Sequence, residues 1–194
     1  IIRQNHDAAC YAKEYRKVIH DLLVGGYAVQ EVGYDTSASG GLGGAFIRHV
    51  DARSILFDPL ATDMQEGRAV FKISLRTREY LEAHYPAAAP FLEGDSFGTP
   101  DAVEDSILRG DRRDSLLMIE YWWREYDAET DRCSVHMAQL AGGAVLADSR
   151  DYKPEGYFDH GQYPFVLTPL FVRKGSCLGY GIVDMFKTQQ LYSD

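Results

Sequence analysis

The sequence is short of the cysteine and histidine patterns that build a zinc or redox centre. Its three cysteines, Cys10, Cys133 and Cys177, are odd in number and far apart, with no C-x-x-C pair. That pattern points to a reduced, intracellular setting rather than a disulfide framework. The six histidines, at 6, 20, 49, 84, 136 and 160, show no H-x-x-x-H spacing, so a helical zinc pair is excluded. There is no G-K-[ST] for a phosphate-binding loop. No apolar run approaches the roughly 20 residues of a membrane span, and no signal peptide opens the chain. Positive charge is also scarce: 20 Lys and Arg stand against 29 Asp and Glu, a net charge of -9. Tight nucleic-acid binding needs clustered cations to neutralise phosphates, so this balance argues against it. It leaves room for a surface that DNA passes without sticking.

What is present suits one α+β domain over residues 1–194, with a small lobe expected at 86–115. A chain of this length buries roughly 70% of its unfolded surface, enough for a core without staples. The chain starts at Ile1 without Met and stops mid-pattern at Asp194, so it reads as a piece of a longer protein.

Residues 8–24 carry the best helical pattern. Ala8, Tyr11, Tyr15, Val18, Ile19 and Leu22 recur at helical spacing, Asn5 or Asp7 can cap the start, and Gly25-Gly26 ends it. A strand over Tyr27–Tyr34, a flexible loop from Asp35 to Gly44 and a returning strand over Ala45–Val50 predict a hairpin. Arg68–Arg76 alternates, with Ala69, Phe71, Ile73 and Leu75 expected on the buried face. Thr77 can cap a short helix over Arg78–Tyr85, which Pro86 stops. Pro86–Pro100 reads as loop and Asp101–Arg109 as another short helix. A strand through Leu117–Arg124 has aromatic residues on both faces, and Cys133–Leu140 with Ala144–Ala147, separated by Ala141-Gly142-Gly143, makes a second hairpin. The chain closes on an apolar strand punctuated by Pro164 and Pro169, a Gly-rich turn and the opening of a helix. Hairpins, or a mixed sheet, with an N-terminal helix and short peripheral helices give the α+β class.

Candidate chemistry is thin. Gly94-Asp95-Ser96-Phe97-Gly98 matches the nucleophile-elbow string, with Asp127 or Asp148 as acid and His136 or His160 as base. The context fails, because Pro86-Ala87-Ala88-Ala89-Pro90 stands where a buried strand is needed. Asp159 and His160 are adjacent, and adjacent residues on an extended chain point to opposite faces. Gly41-Leu42-Gly43 and Gly179-Tyr180-Gly181 lack the third glycine of a dinucleotide fingerprint; Phe46 and Asp184 occupy its place. Both read as turns, the second preparing the terminal helix. Asp58-Pro59 with Asp63 reads as a Pro-initiated turn rather than a cation site. Trp122 and Trp123 with Tyr121 and Tyr126 could stack bases or hold a small molecule or peptide. Strand alternation instead sends one tryptophan to the core and the other to a contact surface. No residue is assigned a catalytic, cofactor or metal role, and no cofactor is expected. A serine hydrolase on Ser96 and a binding module on the tryptophans stand as the alternatives.

Several strings taken in order resemble tailed-phage portal proteins. They are the helix followed by Gly25-Gly26-Tyr27; Val50-Asp51-Ala52-Arg53 through Asp58-Pro59, with Asp63; and Arg68-Ala69-Val70-Phe71-Lys72. They continue with His160-Gly161-Gln162-Tyr163-Pro164-Phe165, Pro169-Leu170-Phe171, and Gly179-Tyr180-Gly181 with Asp184 and Gln189-Gln190. The resemblance implies a structural, non-enzymatic subunit of the head-to-tail connector. Such subunits close into a homo-oligomeric ring of usually about twelve copies at one capsid vertex. It further implies contacts with terminase, capsid and tail or adaptor proteins, and double-stranded DNA passing through the channel without sequence-specific binding. No membrane partner is implied. The expected location is the virion, and the host bacterial cytoplasm during assembly. This stretch corresponds to the wing region, with stem, clip and crown regions absent and a stem helix expected to begin after Gln190.

Overall fold

The computed structural model describes residues 11–58, 61–92, 115–129 and 131–191. Most of the lobe expected at 86–115 lies outside them, as do the Gly94–Gly98 string, the helix expected at 101–109, and the caps Asn5 and Asp7. The chain packs into two compact units. One takes Ile1–Ala52, Pro59–Glu66 and Pro164–Asp194; the other takes Arg53–Asp58 and Gly67–Tyr163.

In the first unit, helix α1 spans Tyr11–Gly25. It follows the expected period, and Val18 is its buried anchor. Tyr15 does not join the buried face; it is exposed and packs on the Tyr11 ring at 5.8 Å. Gly26 ends the helix at φ +81, a left-handed value natural to glycine, with its N–H donating to the Leu22 carbonyl at 3.1 Å. Strands β1 (Tyr27–Asp35) and β2 (Gly44–Val50) form the expected antiparallel hairpin, from Val29 opposite Val50 to Asp35 opposite Gly44.

The hairpin tip differs from the flexible loop expected. Ala38–Gly41 forms a helical turn, α2. The Asp35 carboxylate accepts hydrogen bonds from the Ser37 amide and hydroxyl at 2.9 and 2.7 Å, which sets up the turn. Within the hairpin, Gly33 faces Phe46, whose ring lies across the glycine: a Cβ there would stand 2.5 Å from Phe46 Cζ. Arg48 stacks on the outer face of that ring at 4.1 Å. Strand β8 (Phe165–Pro169) pairs antiparallel with β1 on its other side, giving the order β2-β1-β8. Ala28, Val29 and Phe165 are fully buried, so β1 is the spine of this unit.

The second unit is an antiparallel meander of five strands in chain order: β3 (Ile55–Phe57), β4 (Ala69–Thr77), β5 (Ser115–Asp127), β6 (Arg132–Ala141) and β7 (Ala144–Asp148). Thr77 Oγ1 accepts the Tyr80 N–H at 3.2 Å and starts helix α3 (Arg78–His84), as expected of an N-cap. Leu81 of α3 with Ala88 and Leu92 packs on Leu116, Met118, Ala141 and Ala144. On the other face Ile73 and Leu117 are buried beside Leu75 and Ile119. On β4, Ile73 of the expected face is buried, but Phe71 of that face is 37% exposed while Val70, on the opposite face, is 0% exposed. The turn from β6 to β7 uses Gly142 and Gly143 at φ +53 and +80, as a two-residue hairpin requires.

Beyond its pairing with β7, the edge of β6 meets the returning chain. The Met137 N–H donates to Ser149 Oγ at 2.9 Å, and the Tyr157 N–H donates to the Val135 carbonyl at 2.6 Å. Ser149 is wholly buried. The helix-plus-antiparallel-sheet arrangement of the described residues is the α+β class expected.

Candidate functional site

Three glycines of the first unit meet where its last helix begins. After β8 the chain forms a small ladder, β9 (Phe171–Val172) with β10 (Gly179–Tyr180), held by Phe171 stacked on Tyr180 at 5.2 Å. The Leu170 N–H donates to the Gly26 carbonyl at 2.8 Å, tying this segment to the end of α1. At Gly181 a Cβ would stand 2.7 Å from the Leu23 carbonyl oxygen and 2.9 Å from that of Val24. At Gly26 it would stand 2.5 Å from Tyr180 Cα, and at Gly179 it would stand 2.9 Å from the Phe171 carbonyl oxygen. Real Cβ contacts are not this short, so two backbones touch here because neither carries a side chain.

Helix α4 (Ile182–Leu191) leaves directly from that contact. Asp184 in its first turn accepts the Gly181 N–H at 3.2 Å, so the acid secures the helix start that an N3 side chain commonly secures. Read from sequence, Asp184 is the wrong residue for a dinucleotide loop and sits in a turn that prepares the terminal helix; its hydrogen bond to Gly181 is what starts that helix. Ile182, Val183, Met185 and Phe186 on α4 are all more than a third exposed, as are Leu23 and Val24 at the end of α1.

A second fixture joins α1 to β2. His49 Nε2 lies 2.7 Å from Asp21 Oδ2, and the His49 N–H donates to Glu14 Oε2 at 2.9 Å. The Lys17 ammonium 2.9 Å from Glu14, with that His49 N–H, holds the Glu14 carboxyl below its ordinary value. Nothing in the sequence marks this set, because its members lie 28 and 35 residues apart.

The residues proposed for hydrolysis do not form a relay among the described residues. Ser96 lies outside them. His136 is 2% exposed. Its Nε2 lies 3.2 Å from Ser134 Oγ and 3.8 Å from Glu125 Oε2, so hydroxyl and carboxylate share one nitrogen. A relay needs the nucleophile on one ring nitrogen and the acid on the other. Asp148 is taken by Arg150 at 2.6 Å, whose guanidinium holds the carboxyl below its usual range. Asp127 accepts the Glu129 N–H at 2.9 Å and shapes the β5–β6 turn. His160 is exposed; its Nδ1 accepts the Gln162 N–H at 3.1 Å, and its ring stacks on Phe158. No group of three His, Cys, Asp or Glu among the described residues could hold a metal ion. No helix among them is long and apolar enough to cross a membrane.

The two tryptophans part as alternation requires. Trp122 is buried and meets Tyr157 edge-on at 5.1 Å and Phe158 face-on at 6.0 Å. Trp123 stacks on Tyr121 at 5.0 Å, and Tyr121 stacks on Phe71 at 4.8 Å. The Arg150 guanidinium lies 5.2 Å above Trp123. They are not one base-stacking platform, since they occupy opposite faces of β5. Gly41 and Gly43, at φ +96 and +78, are turn residues, and Asp63 accepts the Gln65 N–H at 2.9 Å within its own turn.

Comparison with known proteins adds a family. No curated protein matches the chain. The family model described as phage P22-like portal protein matches residues 1–165, a span that includes α1, the β1–β2 hairpin and the whole five-stranded meander. A match over that span agrees with the ordered strings from Gly25-Gly26-Tyr27 to Tyr163-Pro164-Phe165, and the chain belongs to the phage P22-like portal protein family.

Proposed function

We propose that the chain is the wing of a portal subunit and works as a rigid base for the channel-forming parts of a head-to-tail connector. In this reading the protein performs no chemistry. Copies of the subunit close into a ring at one capsid vertex. Terminase docks there while DNA is packaged, and tail or adaptor proteins dock afterwards. The net charge of -9 suits a surface that must let DNA phosphates pass.

The observation that carries the proposal is the glycine contact at the start of α4. Gly181, the residue just before α4, lies against the α1 carbonyls of Leu23 and Val24. Gly26, Gly179 and Gly181 fix both the position and the departure of α4, which is what a handover from wing to stem demands. The capping Asp184 and the Leu170–Gly26 hydrogen bond hold the same point from two further sides.

Electron microscopy of the full-length protein tests the reading. Annular particles are expected. Monomers at every concentration, with no rings, would overturn it.

A further inference from the structure

We draw no further inference here: the strongest candidate, the exposed apolar strip formed by Leu23 and Val24 on α1 and by Ile182, Val183, Met185 and Phe186 on α4, is an unpartnered face, and nothing in the structure shows what covers it.

Discussion

Gly26 and Gly181 touch backbone to backbone: a Cβ on Gly26 would stand 2.5 Å from the Gly181 nitrogen, and one on Gly181 would stand 3.0 Å from the Gly26 nitrogen. The contact sets one helix end against one helix start, with no side chain able to absorb a misfit.

Gly181→Ala therefore forces backbone apart. It is expected to cost about 1–3 kcal/mol, the range for overpacking, and to loosen the first turn of α4. Gly25→Ala, one residue before Gly26, meets nothing within 4 Å and should change stability by less than about 1 kcal/mol. Urea denaturation of both variants, with hydrogen exchange at the Met185 amide, checks the pair. Equal stability of the two would show that the contact does not matter.

Gly33 and Phe46 make a second prediction. Phe46 covers a glycine and is itself covered by Arg48. Phe46→Ala should expose β1 backbone and destabilise the hairpin by about 1–3 kcal/mol, at the lower end of aromatic truncations because the ring is not fully buried. Gly33→Ala should also destabilise, by pushing the ring off the strand. Thermal unfolding of both variants is the measurement, and an unchanged midpoint for Gly33→Ala would contradict the packing described.

Glu14 gives a pH dependence with a definite sign. Its folded-state carboxyl is held below the unfolded value, first by Lys17 and then by the His49 N–H. A depressed carboxylate contributes stability that is present above the unfolded pKa, about 4.3, and is lost as pH falls through the folded value. Asp148 beside Arg150 acts in the same direction. Acid should thus weaken the attachment of α1 to β2. Glu14→Gln should be less stable at pH 7 and lose less on acidification, followed by circular dichroism from pH 7 to pH 3. A Glu14→Gln curve parallel to the parent would refute the assignment.

Tyr163 is 3% exposed and its hydroxyl donates to the Gly67 carbonyl at 3.0 Å. Burial pushes its phenol well above the ordinary tyrosine value. Tyr163→Phe should cost about 1–2 kcal/mol, since the Gly67 carbonyl loses a buried donor. In the parent, the ultraviolet signal of Tyr163 ionisation should appear only as the protein unfolds in alkali. Titration of all 13 tyrosines in the folded state would be inconsistent with that burial.

Much of the fold was legible where the signal is local. The β1–β2 hairpin, the strand through Trp122 and Trp123, the Gly142-Gly143 turn and the Thr77 cap follow from alternation and turn chemistry over a few residues. The expected buried face of β4 holds at Ile73 and fails at Phe71. Alternation separates two faces but does not say which is covered at each point: Val70, on the face opposite Ile73, is fully buried, while Phe71 stacks on Tyr121 and stays partly exposed. The helical turn at Ala38–Gly41 was missed because Asp35 fixes the Ser37 amide and hydroxyl just ahead of it, against four glycines that otherwise read as slack. At the candidate site, Gly179 and Gly181 were visible as a turn. Their partner Gly26 was not, because it lies some 150 residues away and only folding brings it near.

The seal along β6 has a consequence for how this sheet meets other chains. An uncovered strand edge is a template on which any neighbouring chain can add a strand, without limit and without symmetry. Ser149 and Tyr157 occupy that template at Met137 and Val135. Strand addition along this stretch of β6 is thereby closed off.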